Sequence, residues 1–416
     1  MDVVLLSRIQ FALTAGFHYI FPTLTIGLSI LLVIMEGAYL RTKNPLYKLM
    51  TEFWVRVFAL IFAIGVATGI VLEFEFGTNW ATYSRYVGDI FGSALAAEGI
   101  FAFFLESGFL AILLFGWNRV RPGVHYFATI MVAFGAHFSA VWIIVANSWM
   151  QTPVGYHIVG EGTKARAEIT DFWAMVFNPS AMDRLTHSIL GAWQAGAFLV
   201  ISIGAYYLLK NRHQKFALSS IRFALILAVI ASLGQLVTGH SSAVGVSNNQ
   251  PEKLATLEGH FEADAPADMY LIGWVNEDTE EVTGLKIPGL LSLMLSGNND
   301  TKVPGLRSFS RMDWPPVNIV FQAYHFMVGI GLFLIALSII TSHKYWRGSL
   351  SKSRKWLLLL VFSVLAPQFA NQLGWITAEV GRQPWIVYKL LRTNQGVSVS
   401  VQSELVLTSL ILFTLI

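Results

Sequence analysis

An all-α, polytopic bundle of about nine membrane-spanning helices is the fold class this chain predicts. Three observations carry it. Of its 416 residues 55% are hydrophobic and only 13% charged, where a soluble domain would be about 25% charged. Apolar stretches of the length a bilayer needs, about 20 residues, recur along the whole chain. The short connections between them alternate between basic and acidic.

In order, the stretches are 9–39, 53–76, 94–117, 124–149, 187–209, 221–240, 317–342 and 356–378. A ninth starts near Leu405 and reaches the end of the sequence before it is long enough to span, so truncation is expected there. The first is too long for the apolar core of a cleavable signal and is expected to remain as a span. One set of connections carries Arg41, Lys43 and Lys48, then Arg119 and Arg121, then Lys210, Arg212 and Lys215, then Lys344 to Lys355. The alternate short set holds Asp89, Glu161, Glu168, Asp171 and Asp183. The positive-inside rule puts the basic set in the cytoplasm and the N-terminus outside. Trp80, Trp149, Trp314 and Trp375 then fall at the outer interface.

The chain divides into residues 1–240 with six spans, an outer connection over 241–316, and residues 317–416 with the remaining spans. In the outer connection, residues 251–262 (PEKLATLEGHFE) read as a short interfacial helix. Pro251 sits in its first turn, and Leu254, Leu257 and Phe261 share one face. No internal repeat of the transporter kind is visible.

Cysteine is absent, which excludes disulfides, iron–sulfur clusters and thioether-attached heme. The net charge of +3 includes no basic run, so no nucleic-acid partner is expected.

Polar residues inside the spans need a reason. The third apolar stretch carries Glu98 and Glu106 with no basic residue beside them. Each carboxylate costs roughly 2.5–3.5 kcal/mol or more in hydrocarbon, so intramembrane acids default to function. On a straight α-helix they are about 12 Å and about 80° apart, Glu106 being the deeper. His18, His187, Met327 and Glu379 join Glu98 in the outer half, from five different helices. A histidine in a span is equally well satisfied by a neighbouring carbonyl, and a methionine by packing. His137 and His325 also lie in spans. His with Met is a known axial pair for low-spin heme, but spacing does not show that these two meet. The segment GWITAEVGRQPW, 374–385, concentrates polar and aromatic residues at a membrane edge. There Arg382 offers a planar fork of donors to a carboxylate or propionate, and Pro384 stops the helix. An interfacial Trp–Arg anchor reads the same way.

Taken together, SRIQFALTAGFHYIFPTLTIG, GVATGIVLEFEFGTNW, YVGDIFGSALAAEGIFAFFLES, SAVWIIVANSWMQTP and GRQPW resemble subunit I of the cytochrome bd family of quinol:oxygen oxidoreductases, in order and over essentially the whole chain. The resemblance implies a terminal oxidase in the bacterial cytoplasmic (inner) membrane. Its cofactors would be a low-spin heme b, a high-spin heme b, and a heme d or a third heme b. It also implies a heterodimer with subunit II, small accessory membrane subunits, and membrane quinol and oxygen as substrates. His187 and Met327 match the axial ligands of the low-spin heme. His18, Glu98 and Glu379 match residues around the high-spin hemes. Arg8, Trp375, Arg382, Gln383 and Trp385 match the heme surroundings. Glu106, Ser107 and Ser139 match the proton path, and Lys253 and Glu258 the quinol pair in the outer connection, the Q-loop, here of the short type. His325 stands where some members carry Arg. The implied activity oxidises quinol near the outer face and draws protons for water from the cytoplasm, which charges the membrane without a pump. Two other classes compete. A proton- or ion-coupled transporter predicts no heme and favours inverted repeats. A cytochrome b membrane anchor accounts for His187 and Met327 but not for Glu98, Glu379 and His18.

Overall fold

The computed structural model describes residues 2–415. Eight helices among them are long and apolar enough to cross a bilayer, and each overlaps one expected stretch. The first six are α1 (Val3–Thr42), α2 (Pro45–Thr78), α3 (Gly88–Phe115), α4 (Pro122–Gln151), α5 (Ala181–Leu209) and α6 (Gln214–Asn249). A short α7 (Pro251–Glu258) precedes α8 (Val317–Trp346) and α9 (Arg354–Val380). The last, α10 (Ser403–Leu415), is the apolar helix expected to begin near Leu405.

Most helices run past their apolar stretches, and caps build the turn between the first two. The Asn44 side chain accepts from the Leu46 N–H at 3.0 Å, and Pro45 starts α2 with a preset φ. Lys43 takes the left-handed conformation that closes α1, so two residues turn the chain back. At the far end of α6 the helix continues through residues 241–249, which the sequence assigns to the loop. Helix α7 ends at Glu258, not at residue 262, because Gly259 caps it at φ 64°. A Cβ there would lie 2.8 Å from Val282 Cγ2. Nor is α7 a surface helix with one apolar face: every residue from Glu252 to Glu258 is buried.

Two spans are irregular. The turn Glu98–Phe103 of α3 is a π-helix, a wide turn that is frequent at functional sites. It invalidates the 80° offset of Glu98 and Glu106, which assumed a straight α-helix. Helix α9 breaks between Phe362 and Leu365, with Pro367 just after the break.

Helices α1 and α5 cross in backbone contact. A Cβ on Gly27 would meet Ala192 O at 2.2 Å, and one on Gly196 would meet Gly27 C at 2.4 Å. Small residues bring membrane helices this close where no hydrophobic force between them exists. Below the crossing the bundle is solid, packed by Leu28, Met35, Trp54, Phe58, Phe198 and Ile201. Above it the bundle opens into a cavity. Three hairpins were not expected: β1 (Tyr156–Val159) with β2 (Arg166–Ile169), β3 (Met269–Asn276) with β4 (Glu281–Ile287), and β5 (Trp385–Val387) with β6 (Leu391–Arg392). The turn of the longest is set by Asn276, whose side chain accepts from the N–H groups of Asp278 and Thr279.

Candidate functional site

The cavity measures about 1420 Å³, above the roughly 300–1,000 Å³ of a single small-ligand site. It runs through the outer half of the bundle to the underside of α7. His18, His187, Met327, Glu98 and Glu379 all reach its wall, so five helices do converge, as expected. Arg8, Trp375, Arg382 and Gln383 line it too. Trp385 does not. It lies under the Arg392 guanidinium, 4.3 Å from its ring centre, and its buried Nε1 has no partner.

The histidines can now be told apart. His18 Nδ1 lies 3.0 Å from Thr68 Oγ1. That hydroxyl already donates to the carbonyls of Ile64 and Gly65, so it must accept, and the ring carries its proton on Nδ1. His187 repeats the device with Thr238 at 3.0 Å, whose hydroxyl donates to Gly234 O. Both rings therefore keep an Nε2 lone pair for another partner. This is how metal-ligating histidines are oriented. His137 spends Nδ1 on Ala133 O and Nε2 on Trp193. His325 spends both nitrogens on Phe321 O and Tyr270 O. His125 spends both on Glu36 and Leu113 O.

Glycines clear space beside His18 and Met327. A Cβ at Gly69 would crowd the His18 ring at 3.1 Å and one at Gly374 would crowd Met327 Sδ at 3.0 Å, whereas one at Gly239 would make an ordinary 3.5 Å contact with the His187 ring. Among the described residues no three His, Cys, Asp or Glu side chains form a bare-ion site. The donor set thus suits a planar cofactor with its own equatorial ligands better than a naked ion.

At the outer end, Glu379 accepts from Arg382 Nη2 at 2.5 Å and from Asn147 Nδ2 at 3.0 Å. Arg184 Nη2 bonds Asn147 and stands 3.9 Å from Glu379. Among the described residues, Arg184 Nε and Arg382 Nη1 are buried donors with no partner. Unpaired buried guanidinium donors call for acceptors, and an acidic group such as a propionate supplies them. Arg184 was not anticipated. Only its position three residues before His187 could have pointed to it.

The acids of α3 divide differently from the resemblance. Ser139 Oγ donates to Glu98 Oε1 at 2.7 Å. Ser107 donates to Phe103 O in its own helix and is absent from the cavity wall. Glu106 is on that wall and buried, with Oε1 unpartnered.

Of the expected quinol pair, Lys253 is on the cavity wall and Glu258 is not. The Lys253 ammonium donates to Ala378 O at 2.8 Å, Gln151 Oε1 at 3.0 Å and Gln250 Oε1 at 3.2 Å. Burial, then the neighbouring Arg184, push it well below its ordinary pKa. Glu258 is 2% exposed and off the cavity wall. It meets the Tyr324 hydroxyl, and its Oε2 has no partner. Nearer the start of the same helix, Glu252 accepts from the Tyr388 hydroxyl at 2.5 Å.

A membrane bundle that turns two tautomer-locked histidines, a methionine and unpaired arginines into one cavity is built as a membrane heme protein. The family model for "Cytochrome bd terminal oxidase subunit I" matches residues 6–416. The chain belongs to that family. It is 36% identical to "Cytochrome bd-II ubiquinol oxidase subunit 1" of Escherichia coli (strain K12), over 97% of this chain and 91% of the relative. It is 37% identical to "Cytochrome bd ubiquinol oxidase subunit 1" of Bacillus subtilis (strain 168), over 99% and 90%. The solved structure of bd oxidase from Geobacillus thermodenitrificans superposes with a TM-score of 0.91 at 31% identity, covering 100% of this chain and 94% of that one.

Proposed function

We propose that this chain is the heme-bearing, quinol-oxidising subunit of a terminal oxidase in the bacterial inner membrane. The observation that carries the reading is the pair His18 and His187, each locked at Nδ1 by a threonine with Nε2 left toward one polar cavity. Two of the chain's relatives are named ubiquinol oxidase subunits, and a third is named "Putative cytochrome bd menaquinol oxidase subunit I".

Three hemes would supply the one-electron chemistry and the binding of oxygen. His187 and Met327 would hold the low-spin heme b. His18, Glu98 and Glu379 would serve the two high-spin hemes, one b and one d or b. Arg184 and Arg382 would bind propionates through the donors they leave unpaired. Trp375, Arg8 and Gln383 would border them.

The chain's own residues carry the protons. Glu98, held by Ser139, would hold a proton beside the oxygen site. Glu106, buried with an unpaired oxygen, would receive protons from the cytoplasmic side. Glu258 would take protons from quinol under the outer loop, residues 241–316. Lys253 would pin α7 to the end of α9, since all three of its N–H donors are spent. Uptake from inside and release outside would charge the membrane without pumping. The chain would work beside a second membrane subunit, with small accessory chains around the pair.

The test is the optical spectrum of the purified complex, reduced minus oxidised and with carbon monoxide. Heme bands of one low-spin and two high-spin centres are expected. A protein free of heme would overturn the reading in favour of a carrier built on Glu98 and Glu106.

A further inference from the structure

The quinol pair leaves a geometric difficulty, and this inference rests on the quinol reading of that pair. Glu258 is the last residue of α7, and its carboxyl points into protein rather than into the cavity. Lys253 has no hydrogen left to give. Lys253 lines the cavity but is committed to its three acceptors, and Glu258 cannot meet a quinol hydroxyl there as the structure stands. Tyr324 can. It projects from α8, is partly buried, lines the cavity, and its hydroxyl bonds the Glu258 carboxyl. Its ring packs edge-on against His325, 5.3 Å between centres. His325 is fixed by two backbone carbonyls and cannot swing in as a competing base.

We propose that the Tyr324 hydroxyl, not the Glu258 carboxylate, touches the quinol and relays its proton to Glu258. The quinol O–H bond breaks as a new O–H bond forms on Tyr324 Oη. In the same motion the phenolic proton of Tyr324 moves to a Glu258 oxygen, so the tyrosine ends as it began, neutral. The electron that leaves the quinol with this proton goes to the oxidised heme acceptor of the proposed oxidase. Once Glu258 has released its proton outward, the second proton and electron follow the same way. The partial raising of the Glu258 pKa by burial suits a base that both accepts and gives up a proton near neutrality.

The experiment uses the purified oxidase complex without oxygen and follows heme reduction by a soluble quinol in a stopped-flow mixer. Tyr324→Phe keeps the ring and removes the relay. It is expected to slow reduction at least about tenfold, with dithionite-reduced heme bands and oxygen uptake from a proton-free one-electron donor unchanged. Glu258→Gln is expected to be similarly slow. Tyr324→Phe at the wild-type rate beside a slow Glu258→Gln overturns the relay and leaves the quinol reading standing. A slow Tyr324→Phe beside a fast Glu258→Gln overturns the relay as well. Wild-type rates in both variants overturn the quinol reading itself. Should Tyr324→Phe lose heme, the wild-type rate in mixtures of light and heavy water decides: a bowed dependence, from two protons in flight, supports the relay, and a straight line overturns it.

Discussion

Ser139, on the fourth span, donates a 2.7 Å hydrogen bond to Glu98 on the third. The bond crosses between helices at the π-helical turn, where Glu98 is the first residue. The serine that the resemblance groups with Glu106 is thus hydrogen-bonded to the outer carboxylate. Ser139→Ala removes a donor from an acid at the cavity wall. It is expected to slow oxygen uptake several-fold and to alter the carbon monoxide difference spectrum. Ser107→Ala loses only a bond to its own helix, worth about 0.5–1.5 kcal/mol, and is expected to keep both the rate and the spectrum. Equal effects from the two would contradict the assignment.

The low-spin site is tested through what holds its histidine. Met327→Leu and His187→Ala remove the proposed ligands, and the low-spin heme bands should vanish or change spin state. Thr238→Val is more discriminating. It keeps shape but leaves His187 Nδ1 without its acceptor, so the tautomer is no longer set. Loss of such an orienting partner typically weakens metal binding by about 10–100-fold. Partial occupancy of the low-spin heme, read from heme content per protein, is the expected result. Full occupancy with an unshifted band would show that the threonine has no orienting role.

Much of this was legible in the sequence because lipid makes strong demands. Apolar length and the Lys/Arg alternation placed the eight spans and the outer cluster of His18, Glu98, His187, Met327 and Glu379. What escaped depends on which side chain faces which. The tautomer lock of His18 needs Thr68 from the second span, fifty positions away. The identical pairing of His187 with Thr238 spans two helices as well. Nothing in the periodicity of α3 announces its π turn. Arg184 reads as a helix-end cation until Asn147 and Glu379 are seen beside it. The burial of α7 on all sides comes from the β3–β4 hairpin and α8 packing over Gly259, long-range contacts that a local apolar stripe does not encode.

Quinol oxidation should depend on pH through Glu258. Burial raises its carboxyl to about 7, with the Tyr324 hydrogen bond opposing. The base form is then populated above about 7, so quinol-driven heme reduction is expected to rise across roughly pH 6 to 8. Stability runs the other way. Between the ordinary 4.5 and about 7 the folded protein holds a proton that the unfolded chain has released. Its contribution to stability is therefore full below 4.5 and is lost as pH rises through about 7. Glu258→Gln should flatten the rate profile at a low value and raise the melting temperature relative to wild type on the alkaline side. A rate profile unchanged by the substitution would remove Glu258 from the reaction.

The two glutamates of α3 give the strongest comparison. Glu98 has a donor in Ser139 and sits in the outer part of the wall. Glu106 lies eight residues deeper, against Gly135, where a Cβ would come within 3.0 Å of its own Cβ. One of its oxygens is unpaired. About two turns of helix, one of them π-helical, separate the two residues, so their carboxyls stand at different depths of the cavity. Gln keeps the size and the hydrogen bonding of Glu but cannot release a proton. Glu106→Gln is therefore expected to leave heme content and the carbon monoxide spectrum near wild type while oxygen uptake with a soluble quinol falls by at least about tenfold. Anaerobic heme reduction by quinol should stay fast, because in the proposed scheme that half of the reaction draws no protons from the cytoplasm. Glu98→Gln should disturb the oxygen-site spectrum or heme retention as well as the rate. Oxygen uptake at the wild-type rate in Glu106→Gln would close this proton route, and the buried, unpaired oxygen of Glu106 would then need another explanation.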